Sequence, residues 1–411
     1  MSDSAIRIVI CMQLSFIIPS RNNLKYLKWC YKAIRSNLSH KNHEICVADD
    51  ASNDGTWEWC EETQKQDLYF KAIRNNGPTR LGHTILYDRL VNEVATNEVV
   101  IIYHADMYAC VDFDKYIEKY IKPKTVVSLT RIEPPLHPPG PEKIIQDFGT
   151  EPELFIEEKF LKWFDETKMA RRGKTTEGIF APWAIYKNDF QSIGGHDPLY
   201  APQSKEDSDI FNRFQINGYS FIQTWEGCVY HMTCRGSRFN PTITSIGTDS
   251  TEWQEQNVKS ARNFIRKWGH FVKHNDMMKP VVPNRYNVGF VVLNCDEYRV
   301  ALLEPWCDTL YTDVPYSRYI AAEQKNTKFD LVKKLKTYEE PKTNDVLVTF
   351  DGNKVTNQSF EFFNMLQMML EDSGTVGELE YDIFKLKINR LVDYKQSLIN
   401  VSDDDYKKRL L

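Results

Sequence analysis

Between Leu14 and Asp106 the chain alternates short apolar runs with segments of helical spacing, and each apolar run stops at a polar, turn-rich stretch. Leu14–Ile18 is the first run, broken by Pro19-Ser20-Arg21-Asn22-Asn23. Leu24, Leu27, Tyr31 and Ile34 then share one face of a helix over 24–37. His43–Ala48 is a second run, stopped by Asp49-Asp50-Ala51-Ser52-Asn53-Asp54-Gly55. A helix over Thr56–Gln66, an extended stretch over Tyr69–Arg74, an amphipathic helix over Thr84–Ala95 and a strand over Val99–Tyr103 follow. Strands separated by single helices build βαβ units and hence a mainly parallel sheet flanked by helices. Open α/β sheets bind ligands beyond the carboxyl ends of their strands, where these polar loops lie.

Downstream, a proline cluster from Glu133 to Pro141 can be neither helix nor central strand, so 131–152 reads as a semi-rigid surface loop. Glu157–Lys168 reads as a helix, Thr175–Tyr186 as an apolar, aromatic stretch, and Gly194-Gly195 as a turn. A helix over Lys205–Gly218 turns Ile210, Phe211 and Phe214 inward; strands over Tyr219–Thr224 and Gly227–His231 and a closing helix over Ser260–Trp268 come next. The segment 278–287 is linker-like. Beyond it Val288–Leu293, Thr309–Thr312 and Asp345–Phe350 read as strands, Gln358–Leu370 as a helix and Phe384–Ile388 as an edge-like strand. These divide the chain into a large α/β domain over 1–278 and a second, smaller α/β domain over 284–411. No internal repeat stands out.

A length of 411 residues allows two or three domains, and 42% hydrophobic with 27% charged residues is ordinary globular composition. Lys+Arg 52 against Asp+Glu 57 leaves −5, which argues against a dedicated nucleic-acid binder. No stretch approaches the roughly 20 apolar residues of a transmembrane helix. Ile6–Ile18 is interrupted by Arg7 and Gln13 and lacks a small-residue cleavage site, so it reads as a buried strand rather than a signal peptide. Nine cysteines with no CxxC pair point to reduced thiols and a cytoplasmic location.

Four constellations could carry chemistry, and each also has a purely structural reading. The Asp49–Thr56 loop can accept hydrogen bonds from a base or a ribose, or can be only a turn and helix cap. His104 and Asp106, on one side of a strand end, suit a divalent ion or form a structural pair. Glu206, Asp207 and Asp209 at a helix start either complement the helix dipole or place a general base at a pocket edge. His231 ends a strand, followed by Arg235 and Arg238, which suit phosphate.

In order and spacing, the strand–PSRNN, DDASNDGT, HAD, GGHD and EDSD elements and the strand-terminal His231 resemble family 2 glycosyltransferases of the GT-A fold over roughly Leu14–Arg238. The resemblance implies a metal-dependent transfer of sugar from a nucleoside-diphosphate sugar, with UDP the expected nucleotide, to a hydroxyl of a carbohydrate or glycoconjugate acceptor. It implies that Asp50 reads the base, that Asp106 and His231 hold Mn²⁺ or Mg²⁺, and that Asp207 is the general base of an inverting reaction, with Glu206 beside it. Pro19, Ser20, Arg21, Asp49 and Arg80 would join Asp50 around the donor, as would His104 and Ala105. Arg235 and Arg238 would assist the leaving diphosphate from a loop. Two departures stand out. His104 replaces the first Asp of the usual Asp-x-Asp, and no QxxRW follows, which disfavours a processive polysaccharide synthase. A sugar nucleotidyltransferase would need a glycine-rich loop after the first strand and a methyltransferase a GxGxG-like turn; PSRNN has no glycine. The alternative from another class is a non-catalytic, carbohydrate- or nucleotide-sugar-binding relic of a transferase.

Overall fold

The computed structural model describes residues 12–233 and 249–401. Strands β1 (Leu14–Ser20), β2 (Glu44–Asp50), β3 (Phe70–Asn75) and β4 (Val99–Ile102) are joined by helices α1 (Leu24–Asn37), α2 (Thr56–Gln66) and α3 (Gly82–Arg89), the last running into a π-helical turn over Leu90–Val94. They lie in parallel in the order β3-β2-β1-β4. β1, β2 and β4 are buried along their whole length, as near-continuous apolar runs are when helices cover both faces of a sheet. β1 and β2 extend further than the apolar runs suggest: Pro19-Ser20 and Asp49-Asp50 are still strand, so the polar loops start inside the sheet's end.

The chain continues through β5 (Met107–Ala109), α4 (Phe113–Tyr120), β6 (Thr125–Glu133), β7 (Ile144–Ile145), α5 (Glu157–Lys168), β8 (Thr175–Thr176), β9 (Trp183–Tyr186), α6 (Lys187–Ser192), α7 (Glu206–Ile216), β10 (Ser220–His231) and α8 (Thr251–Trp268). The completed sheet has the order β3-β2-β1-β4-β9-β6-β10-β5, with β7 on β6 and β8 on β10. β9 runs antiparallel to β4 and β6, and β5 to β10, so the sheet is mixed but mainly parallel. Three expectations need correction here. Arg131–Glu133 is not loop but the end of β6, because the prolines begin only at Pro134. The two strands expected around Gly227 are one, β10, with a register shift between Thr224 and Cys228. A Cβ on Gly227 would come within 2.8 Å of Leu129 and Tyr116, so only glycine fits the irregularity. Helix α8 starts nine residues before Ser260, where the Ser250 side chain accepts from the Trp253 amide; its polar first turns hide it from a periodicity search.

A second sheet follows: β11 (Val288–Leu293), α9 (Glu297–Leu303), β12 (Thr309–Thr312), α10 (Ser317–Glu323), α11 (Leu331–Lys334), β13 (Leu335–Thr337), β14 (Val346–Asp351), α12 (Asn357–Ser373), β15 (Gly377–Tyr381) and β16 (Phe384–Ile388). Its order is β13-β12-β11-β14-β16-β15, parallel through β14 and antiparallel beyond. Phe384–Ile388 is therefore not the edge, which is β15; its alternation arises because one face of β16 is buried and the other exposed. The first four strands repeat the β3-β2-β1-β4 order of the first sheet, an echo with no counterpart in the sequence. The protein is thus α/β, a mainly parallel sheet flanked by helices with a second, smaller α/β sheet.

Helix α8 belongs to both halves. Toward the first sheet, Lys267 pairs with Asp197 at 2.9 Å and Asp209 at 2.7 Å. Toward the second, buried Arg266 pairs with Glu304 at 2.6 Å, which also takes Lys334 at 2.7 Å. No helix among the described residues is long and apolar enough to cross a membrane.

Candidate active site

A cleft of about 420 Å³ opens at the carboxyl ends of β1, β2 and β4 and the end of β10. Pro19, Ser20 and Arg21 form one wall, Asp50 and Arg80 another, and His104, Ala105, Asp106 and His231 the floor. Asp50 accepts from Asn75 Nδ2 at 2.7 Å and from the Leu81 and Gly82 amides at 3.0 and 2.9 Å, with Arg80 Nε 3.7 Å away. It therefore folds the 75–82 loop over the cleft. A Cβ on Gly82 would meet the Pro202 carbonyl oxygen at 2.1 Å, so the loop touches the segment preceding α7 directly. Arg80 donates to Gln203 Oε1 at 2.5 Å across that contact. Asp49 is different. Alternation along β2 turns it away from the cleft, where it accepts from the Ser52 amide at 3.2 Å and pairs with Arg74 at 3.3 Å. Arg235 and Arg238 lie outside the described residues.

His104, Asp106 and His231 each offer a ligand atom within 4.8 Å of the others. Asp106 Oδ1 is 3.5 Å from His231 Nε2, while His231 Nδ1 is 3.1 Å from Glu133 Oε1. Glu133 is 2% exposed and is braced by Lys143 at 2.8 Å. Burial alone would lower the His231 pKa, but Asp106 and Glu133 outweigh it and carry it up to about 9. The flanking carboxylates thus favour a positive charge at this imidazole, whether a proton or a metal ion. Burial takes His104 down to about 3, leaving a neutral ring with a lone pair to give. Asp106 sits below its ordinary range, because His231 and His104 overcome its burial. The donor set of two imidazoles and one carboxylate, with a carboxylate behind one imidazole, fits a divalent metal.

At the rim, Glu206 lines the cleft while Asp207 lines an adjoining pocket of about 240 Å³ that shares His104, Arg131 and His231 with it. Ser204 and Lys205 both hold left-handed backbone, φ 78° and 70°, the strained entry that aims the two carboxyls inward. Burial and then the Asp207 charge push Glu206 up to about 8. Burial also raises Asp207, against the pull of His196 and Arg131. Asp209 is no rival: it is fully buried and accepts from Arg213 at 2.8 Å and Trp268 Nε1 at 3.0 Å. Reading the sequence missed Glu133 and Lys143, submerged in the presumed loop, and His83, which stacks on His104 at 6.4 Å between ring centres.

The family model of glycosyl transferase family 2 matches residues 15–193, the stretch that builds β1 to β9 and the floor of the cleft. The chain carries a family 2 glycosyltransferase domain. Among curated protein sequences none matches the chain. Among solved structures, GalNAc-T7 with UDP, GalNAc and Mn²⁺ aligns with 63% of this chain and 49% of its own, at 14% identity and a TM-score of 0.45. The mannosyltransferase PcManGT from Pyrobaculum calidifontis, with GDP-Man and Mn²⁺, aligns over 61% and 62%, at 16% identity and 0.40. TarS of S. aureus aligns over 54% and 36%, at 14% and 0.39. The chain thus covers less than two thirds of the length of each of these structures.

Proposed function

We propose that this glycosyltransferase moves a sugar from a UDP-sugar to a hydroxyl acceptor with Mn²⁺ as its metal and inversion at the anomeric carbon. The observation that carries the reading is the convergence of His104, Asp106 and His231 on the cleft floor, beside the paired carboxyls of Glu206 and Asp207. Two imidazole donors favour Mn²⁺ over Mg²⁺, which prefers an all-oxygen shell. A bound Mn²⁺ would offset the negative charge that builds on the leaving diphosphate. Arg21 and Arg80, lining the same cleft, supply further positive charge for the phosphates, and Lys143 stands by Glu133. Asp50 retains acceptor capacity on Oδ2 for the imide N–H of uracil while its other bonds hold the 75–82 loop.

Of the two adjacent carboxyls, Glu206, pushed up to about 8, keeps its proton at neutral pH, which relieves the like-charge repulsion on Asp207. Asp207 then takes the proton of the acceptor hydroxyl as its oxygen attacks the anomeric carbon from the side opposite the diphosphate. We further propose that the unit from 284 onward supports the catalytic unit through α8 rather than binding donor itself. Turnover of UDP-, GDP- and dTDP-sugars, with MnCl₂ or EDTA, tests the whole: Mn²⁺-dependent UDP release is expected. Absence of binding and release for every donor contradicts it.

A further inference from the structure

The pocket beside the cleft contains a donor that no described residue satisfies. Asp207, Ser208, Phe211 and Asn212, spaced four apart in two rows, face it from one side of α7. Asn212 is 3% exposed, and its Nδ2 has no hydrogen-bond partner. Asp207 Oδ1 is buried and likewise unpartnered. Buried polar atoms are rarely left unpaired, so a pair of them lining one open pocket points to a ligand with both donors and acceptors. Ile179, Phe180, Met278 and Pro280 add apolar surface to the lining, and Lys273 and His274 of the same tether add polar groups. Arg131 stacks on Phe180, 4.3 Å from its ring centre, pairs with Glu142 at 3.3 Å and sets its Nε 3.6 Å from Glu133.

The outer wall is the segment between the two sheets. An isolated bridge pairs His274 with Pro280, Asn275 Oδ1 accepts from the Met277 and Lys279 amides at 3.0 Å, and Lys279 pairs with Glu177 at 2.9 Å. A Cβ on Gly178 would meet the Met277 carbonyl oxygen at 2.4 Å, so glycine there lets this tether press against the pocket. The linker-like sequence around 278 thus forms part of the pocket wall.

We propose that this pocket holds one sugar ring of the acceptor, that Asn212 donates a hydrogen bond to it, and that the 272–280 tether limits its size. The proposal rests on the glycosyltransferase reading for naming the ring an acceptor. A pyranose has hydroxyls on its rim and an apolar C–H face, which matches a pocket that mixes Asp207, Ser208 and Asn212 with Ile179, Phe180, Phe211, Met278 and Pro280. Its volume of about 240 Å³ admits one ring and not an extended chain, being below the roughly 300–1,000 Å³ of drug-sized sites. An alkyl chain would leave Asn212 and Asp207 unpaired, which disfavours a lipid.

The test is direct binding of p-nitrophenyl glycopyranosides of glucose, galactose, mannose and N-acetylglucosamine, both anomers, followed by saturation-transfer NMR and titration, with and without UDP and MnCl₂. At least one glycoside is expected to bind through its ring protons, and Asn212→Leu to weaken it about tenfold, the scale of one buried amide hydrogen bond. Met278→Trp, which fills the pocket from the tether, should abolish binding and keeps the test open if Asn212→Leu fails to fold. No binding by any glycoside in either condition, or binding indifferent to both substitutions, overturns the proposal. UDP binding by the wild-type protein is recorded alongside. Glycoside binding without UDP binding overturns the donor reading and leaves the pocket standing, whereas UDP binding without glycoside binding removes the pocket alone.

Discussion

The two sheets start from one plan and end in different chemistry. Each begins with four parallel strands in the order third, second, first, fourth, and each puts an aspartate at or just past the ends of its second and fourth strands: Asp50 and Asp106 in one, Asp313 and Asp351 in the other. In the second sheet these carboxylates are consumed by backbone amides: Asp351 accepts from the Asn353 amide at 3.0 Å and Asp313 from the Asn294 amide at 3.1 Å. In the first sheet Asp106 faces two imidazoles, and Glu206 and Asp207 keep buried oxygens without partners. Strand order brings loops together; a site arises where burial leaves polar groups unspent.

The contrast can be broken most severely at Asp207. Asp207→Asn keeps shape but removes basicity, and transfer should fall by about 10²–10⁴-fold with donor binding retained; near-normal turnover in a coupled UDP-release assay would move the base elsewhere. Glu133→Gln should weaken Mn²⁺ by about 10–100-fold, as loss of a carboxylate behind a metal-ligating histidine does, measured by isothermal titration. Glu206 gives a pH signature. Its pKa is raised from 4.5 in the unfolded chain to about 8 in the fold, so its contribution is complete below 4.5 and is lost as pH climbs through about 8. The melting temperature should decline over that window in the wild type and decline less in Glu206→Gln. The smallest effect belongs to the second sheet: Asp351→Asn should cost at most about 1 kcal/mol of stability, a turn-brace loss, and leave UDP binding unchanged. A loss of nucleotide binding there would erase the distinction between the sheets.

Much of the first sheet is legible in the sequence because its signals are local. The helices α1, α2 and α5 span 24–37, 56–66 and 157–168 as their periodicity indicates, since each is closed by turn residues or charges at its ends. What was illegible depended on long-range packing. Glu133 is invisible as a brace for His231 because the two residues are far apart in sequence and meet only through the parallel pairing of β6 with β10. Asp49 and Asp50 look equivalent in a polar loop, and only their place inside β2 separates the one that faces the cleft from the one that does not. The unpaired amide of Asn212 has no sequence signal at all, being one polar residue on the buried face of a helix.

Nucleotide binding is proposed to depend on a divalent ion held by His104, Asp106 and His231. The direct measurement is isothermal titration of UDP into the protein with MnCl₂, with EDTA, and with MnCl₂ after Asp106→Ala. Binding in the first condition and none in the other two is the predicted result. UDP affinity in Mn²⁺ that survives Asp106→Ala unchanged would contradict it.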